Sequence, residues 1–514
     1  MGTKSAGQRL ACGLLFVLMA SCVRLGVDLE GTAMGDTGPN HEDEDAGALS
    51  DGDHETSADA TTPLHDADVT SEDGGVIVPD GGVTIQDGGV IVPDGGVIVQ
   101  DAGTSSTAAG MFDTTFAGTG VHSETGYLDG NAFRVVLVDD RDRIYVAGQL
   151  QVDASDWGDM IVQRLHLDGT LDSTFNFTGT IVFNFTPFEL FVGIALVPPD
   201  LIRLGGARTV VEDPLVLSLH EDGTIDTAFG DKGIGIKAIA GENYPRAMAV
   251  DPVDGSYYIL GDDYGDTLYI VKFTSLGAVD STFGNNGHIQ LPPSTYGNAL
   301  DGAVDENHRL VVVGNIRSAG RNDDSAAVVW QLLPDGTLDP DFAQGGLVIL
   351  DDVGGTDVDE SANGIRIGKD GSRYVTGSVT EDGRSDLIVW KFDANGDLVS
   401  AFGTAGAVRA SIALGTSAAT SGNRIAFDRD DRLIIAGGIH NTADWDIMIM
   451  RMDALGRIDR TFGDAGTLVV SDVLGAAGND RVYGVAVSKG GPIFVCGSAT
   501  GSDGALDAML IRIN

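Results

Sequence analysis

Ile458-Asp459-Arg460-Thr461-Phe462-Gly463-Asp464-Ala465-Gly466 is one copy of a pattern that recurs seven times along the chain. The phenylalanine of each copy is Phe116, Phe175, Phe229, Phe283, Phe342, Phe402 or Phe462. Four residues after each stands Gly120, Gly179, Gly233, Gly287, Gly346, Gly406 or Gly466. Six residues before each stands Gly110, Gly169, Gly223, Gly277, Gly336, Gly396 or Gly456. Glycines held in phase from Gly110 to Gly466 mark a structural repeat, not a compositional bias.

Within each period the hydrophobic pattern reads as four short strands punctuated by turns. In 423–468 the segment Asn423 to Asp428 alternates, Asp430-Asp431 turns, and Arg432 to Gly437 is a second apolar strand. Asp446 to Met452 is a third strand, Ala454-Leu455-Gly456 turns, and Thr467 to Val470 opens a fourth. Four strands per repeat fit a propeller blade. The second strand is read as ending at Gly148, Gly205, Gly261, Gly314, Gly377, Gly437 and Gly497, which counts seven blades.

The chain stops at Leu510 to Asn514, in third-strand phase, so the last period lacks a fourth strand. The missing piece stands at the front, as Gly110 to Phe116 followed by Gly120-Val121. The expected fold is therefore all-β, a seven-bladed β-propeller with four antiparallel strands per blade. An N-terminal strand completes the last blade, since an unpaired edge would otherwise be exposed.

The segments 159–179, 213–233 and 446–466 carry the pattern most fully: an Asp opening an apolar strand that ends in a polar residue, then Asp-Gly, an Asp, Phe and a final Gly. This pattern resembles the bacterial delta-60 repeat, over about 400 residues. The resemblance implies a propeller-like fold and carries no activity to particular residues. Val399 departs from it by replacing the Asp, and Ala117, Asn176 and Ala343 replace the Gly after Phe.

Ahead of the repeats the composition changes. Lys4 and Arg9 precede the apolar run Ala11 to Ala20, which is too short to span a bilayer and fits a signal-peptide core. It ends Met19-Ala20-Ser21-Cys22, resembling a lipobox, which implies a signal peptide at 1–21 and acylation of Cys22. More than one acyl chain would anchor the protein stably, with the membrane touched only through the lipid. Val23 rather than Asp resembles the outer-membrane sorting pattern. The expected address is thus exported and lipid-anchored in the outer membrane, on the cell surface or the periplasmic face.

Residues 22–109 read as an acidic, Gly-rich stalk, with DGGVIVP, DGGVTIQ, DGGVIVP and DGGVIVQ in register at 73–100. Gly-Gly in every unit, with Pro79 and Pro93, excludes a coiled coil and suits a low-complexity spacer. The propeller is assigned to 110–514.

The formal net charge is -45, and 111–514 holds 57 acids against 28 bases, near -29. A surface this acidic repels phosphate backbones, so nucleic acid is not an expected partner. The expected partner is an envelope or extracellular protein or a glycan, the protein itself being a monomer. Of three cysteines, Cys12 lies in the signal peptide, and Cys22 and Cys496 build no disulfide framework.

Two carboxylate series recur. Asp113, Asp172, Asp226, Asp280, Asp339 and Asp459 stand three before Phe, and Asp159, Asp213, Asp266, Asp386, Asp446 and Asp507 open third strands. Residues repeated in every blade serve the fold, so the first series reads as Asx turns. Calcium is the one metal weighed, at Asp139 to Asp142, Asp251 to Asp254 and Asp428 to Asp431. None completes a loop of alternating oxygen ligands, and no cofactor is expected. His166, His220, His288, His308 and His440 form no zinc spacing.

Asn131, Asn243, Asn298, Asn363, Asn423 and Asn479 precede or open first strands. They form either a polar ring at a channel mouth or a set of turn caps. The functional expectation is a non-enzymatic binding scaffold, with a glycan hydrolase or lyase acting at a channel mouth as the alternative.

Overall fold

The computed structural model describes residues 24–25, 99–101 and 110–514, apart from the loops 126–129, 152–157, 184–188, 198–199, 209–212, 240–242, 264–266, 292–296, 318–324, 351–357, 412–418 and residue 442. The signal peptide at 1–21, Cys22 and nearly all of the stalk lie outside the described residues.

The repeats fold as a seven-bladed β-propeller. Blade 1 is Ala132–Val138, Ile144–Leu150, Asp159–Leu165 and Thr180–Phe183, in that order from the axis outward. Blades 2 to 6 repeat the arrangement, each an antiparallel meander. Arg24–Leu25 and Val99–Asp101 add short parallel strands outside the fourth strands of blades 1 and 6. Val99 and Gln100, which end the last heptad, thus pair with Val469 and Val470.

Blade 7 takes Arg481–Val487, Ile493–Thr500 and Leu506–Ile513 from the C-terminus and its outer strand, Val121–Glu124, from the N-terminal side. Val121 lies opposite Ile511 and Glu124 opposite Ala508. The backbone N–H of Asp113 donates to Arg512 O at 3.0 Å and that of Asn514 to Met111 O at 3.0 Å. The first strands of neighbouring blades touch all the way round, blade 7 to blade 1 included. The ring is closed as the sequence implies.

The quoted motif accounts for the joints between blades. Each phenylalanine is at most 1% exposed and packs under the glycine of the following copy, where a Cβ would lie 2.5–3.2 Å from a ring atom. Gly169 sits on Phe116, Gly277 on Phe229, and Gly110 on Phe462, so this chain of contacts also closes. Each of these glycines has φ between +76° and +88°, the left-handed region where a side chain would add strain. One residue past Phe the backbone N–H reaches the next blade's turn: Ala117 to Asp168 O at 2.7 Å, Gly230 to Leu276 O at 2.8 Å, Gly403 to Leu455 O at 2.9 Å.

The Asp three before Phe forms the expected Asx turn. Asp172 Oδ1 accepts from Thr174 N at 3.0 Å and Thr174 Oγ1 at 2.6 Å, and Asp459 repeats this with Thr461. The second oxygen pairs with the cation that ends the third strand. Arg164 Nε lies 2.7 Å from Asp172, Lys272 Nζ 3.2 Å from Asp280, and Arg451 Nε 2.9 Å from Asp459. The same cations lie over the phenylalanine rings, Arg451 at 4.7 Å from Phe462 and Arg164 at 5.1 Å from Phe175. Burial works against the Asp172 and Asp459 charges, but the Thr bonds and arginines outweigh it and hold both pKa values below the usual carboxylate value.

The exceptions vary together. Where Val399 replaces the Asp, Lys391 turns to Asp370 at 3.4 Å and sits over Tyr374. Where Ser218 replaces the cation, Arg203 from the second strand comes within 3.8 Å of Asp226 and lies over Phe229. Trp330 and Trp390 are buried between blades, and so is Cys496, whose thiol burial pushes its pKa upward.

Candidate functional site

The repeat glycine of the second strand does not end that strand. It sits mid-strand, opposite the residue just before a β-bulge in the first strand. Phe133 faces Gly148, Pro245 faces Gly261, Ala362 faces Gly377 and Val482 faces Gly497, and in each case the register slips by one residue immediately afterwards. In blade 2 the facing residue is Gly206, so Gly205 is one position out of phase with the others. A Cβ at any of these glycines would collide with the carbonyl oxygen two residues before the bulge, such as Ala132 O or Ser361 O. Glycine is therefore the condition for a bulge in every blade.

A bulge leaves one residue outside the pairing and re-aims its side chain. The seven bulged residues are Arg134, Val192, Arg246, Leu300, Asn363, Asn423 and Tyr483. All seven line one cavity of about 280 Å³, together with Leu190, Tyr244, Pro245, Arg424 and Val482. Every blade contributes, so the cavity lies on the propeller axis. It is at the small end of ligand-site volumes.

One arc of this wall is a hydrogen-bond chain. Asn315 Oδ1 accepts from Ser361 Oγ at 3.1 Å, Asn363 Nδ2 donates to Ser421 Oγ at 3.2 Å and Gly422 O at 3.1 Å, and Asn423 Nδ2 donates to Val482 O at 3.2 Å. Ser421 also donates to Asn423 Oδ1, and the single Ser361 hydroxyl proton is shared between Asn315 Oδ1 and Asn363 Oδ1. Both amides thus spend their polar atoms on blades 5 to 7 and stiffen the wall.

The cationic groups divide into paired and unpaired. Arg246 forms a forked contact with buried Asp262, at 2.7 and 3.3 Å, and lies 4.4 Å from the Tyr244 ring centroid. Arg366 pairs with Asp301 at 3.2 Å, and Asp301 also accepts from the backbone of Gly302 and Ile365. Arg134 lies 4.5 Å over the Tyr483 ring, and its Nε has no hydrogen-bond partner. Arg424 Nη1 donates to Asn363 O and Asn423 O, both at 2.9 Å. Among the described residues no carboxylate pairs with Arg134 or Arg424. Enclosure in the channel lowers the Arg424 pKa, Asp301 opposes this, and Arg366 and Arg134 add to it.

Of the six asparagines expected at a mouth, Asn363 and Asn423 line the cavity. The other four stand at different registers and do not join them. Asn131, fully buried, clasps blade 1 to blade 7 by donating to Leu506 O and accepting from Gln151 N. Asn243 donates to Ile239 O, and Asn479 accepts from Trp445 N. Asn298 pairs across from Asn315, two residues before its bulge. Asn243 makes the local contact of a turn cap, whereas Asn131 and Asn479 join neighbouring blades.

A second cluster is acidic and lies near the junction of blades 6 and 7. Burial pushes Asp480 up to about 7; Val473 N–H opposes this, and Asp446 and Asp472 reinforce it. Burial likewise lifts Asp446 to about 6, against the Asn441 amide and with Asp444 and Asp472. On a neighbouring third strand, burial and Asp503 lift Asp507 to about 6. Among the described residues, Asp251, Asp254 and His308 bring three ligand-type atoms within 4.8 Å of one another. His308 Nδ1 is already 2.8 Å from Asp251 Oδ2, and Asp251 Oδ1 accepts from Val253 N, which is a hydrogen-bonded turn between blades 3 and 4.

Two segments, 142–175 and 309–342, match a family described as a domain of unknown function (DUF5122) beta-propeller. Comparison with curated protein sequences returns no match. Similar solved structures include the beta-propeller domain of the Trilobed protease from Pyrococcus furiosus, with 9% identity, 74% of this chain and 96% of that one covered, and TM-score 0.40. Polysaccharide lyase Uly1 is 11% identical, with 77% and 92% covered and TM-score 0.44. Kuenenia stuttgartiensis hydrazine synthase is 11% identical, with 76% and 98% covered and TM-score 0.45. At these identities the likeness concerns the fold alone.

Proposed function

We propose that the chain is a cell-envelope binding protein. It is exported, held to the outer membrane by acylated Cys22, and binds a small ligand in the axial cavity without chemical conversion. The observation that carries this reading is the contrast between two sets of residues. Positions that repeat in the blades, the Phe, Gly and Asp of the motif, are spent on the joints. The bulge position is structurally equivalent in all seven blades, yet it holds Arg, Val, Arg, Leu, Asn, Asn and Tyr. A fold that repeats its scaffold and varies one inward-facing position has concentrated its individuality there. The groups supplied are guanidinium, phenol and alkyl, which grip and orient a ligand.

The test is a small-molecule thermal-shift screen of the wild type beside a plugged variant, Val192→Trp. Ligands stabilising the wild type but not the plugged protein support the channel as the site. Ligands that act equally on both overturn it. Labelling with a palmitate analogue tests the anchor, with label expected on the wild type and absent from Cys22→Ser.

A further inference from the structure

Three guanidinium groups, Arg134, Arg246 and Arg424, line the cavity, and a fourth, Arg366, acts on Arg424 from nearby, against two carboxylates, Asp262 and Asp301. The imbalance is two positive charges in the centre of a protein whose formal net charge is -45. Arg246 and Arg366 have their counterions. Among the described residues Arg134 and Arg424 have none: one rests on an aromatic ring, and the other uses Nη1 on two backbone carbonyls. An enclosed cation without a counterion is costly, because neither water nor a partner fully solvates it. The surrounding acidic surface does not supply that partner, so the uncompensated charge is specific to the channel.

From this we infer that the channel binds a small organic carboxylate with an apolar body, its carboxylate meeting Arg134 and Arg424 and its body lying against Leu190, Val192, Leu300 and Tyr483. The inference rests on the reading of the channel as a ligand site and adds the ligand's class. Guanidinium favours carboxylate through its planar, forked donors. The body is apolar because the polar groups that a sugar would use are already engaged: Asn363 and Asn423 donate to Ser421, Gly422 and Val482 and accept from the two serines. The remaining wall is alkyl and aromatic apart from the phenol groups of Tyr244 and Tyr483. A cavity of about 280 Å³ takes one ring with its substituent, not an oligomer. The long-range charge of the protein opposes anion entry, so binding is expected to tighten as salt screens the surface, the reverse of an exposed anion site.

The experiment uses benzoate and its neutral counterpart benzyl alcohol as probes, titrated calorimetrically at fixed ionic strength. Saturable benzoate binding is expected, weakened about tenfold or more by Arg424→Gln and by Arg134→Gln, and benzyl alcohol should bind at least about tenfold more weakly than benzoate. Arg134→Gln guards against a folding defect in the other variant, since Arg134 holds no backbone group. Equal binding of the two probes, lost in Val192→Trp, would overturn the anion inference and leave the channel site standing. Benzoate binding that survives Val192→Trp would overturn both. Absence of benzoate binding to the wild type would overturn the anion inference alone.

Discussion

Replacing Asp480 by Asn should make the propeller much more stable at pH 8 and only modestly so at pH 5, with the effect gone near pH 4. Asp480 is 1% exposed, and among the described residues its Oδ1 has no hydrogen-bond partner while Oδ2 accepts from Val473 N at 3.1 Å. An amide keeps that acceptor and removes the charge. The folded pKa of about 7 lies above the usual 3.8, so the folded state holds its proton more tightly than the unfolded chain. The folded protein therefore bears a cost above pH 7, which is relieved as pH falls from 7 towards 4. A rise from 3.8 to about 7 corresponds to about 4 kcal/mol, and because Asp446 shares the repulsion, a gain of about 2–4 kcal/mol at pH 8 is expected. Urea unfolding of wild type and Asp480→Asn at both pH values measures it. Equal differences at the two pH values, or destabilisation at pH 8, would refute the reasoning. The wild type itself should gain stability from pH 8 to pH 5, through Asp480, Asp446 and Asp507, and lose it lower, where Asp172 and Asp459 protonate.

Other outcomes follow from the joints. Phe462→Ala should cost about 3–5 kcal/mol in urea unfolding, since it removes a buried ring and the seat of Gly110 at the closing seam. Gly377→Ala should cost about 3 kcal/mol and alter the channel, because its Cβ meets Ser361 O and the bulge at Asn363 cannot persist; loss of ligand response in the thermal-shift screen reads this directly. Val399→Asp restores the Asx turn and offers Lys391 a nearer partner, so unfolding should show a gain of up to about 1 kcal/mol.

The blade count and the closure were legible because they depend on letters. Only glycine tolerates the φ of Gly110 or Gly456 over a phenylalanine ring, so the same letter returns at each joint. The bulge ring was illegible for the opposite reason. A bulge is a two-against-one relation between strands, visible only once the register is known. The sole trace in one strand was the glycine facing it, read as a strand end and, in blade 2, placed at Gly205 instead of Gly206. Aligning asparagines by letter selected Asn131 and Asn479, which serve the seams between blades, and passed over Arg134 and Tyr483. In a repeat protein the joints are found by what recurs and the site by what fails to recur.

Closure is what turns seven separate bulges into one rigid wall, and native-state hydrogen exchange tests it most directly. The amides of Val121–Glu124 should open with the same free energy as those of Leu506–Ile513, their partners in blade 7. Exchange of Val121–Glu124 within seconds, while Leu506–Ile513 stays protected, would contradict a ring closed by that strand.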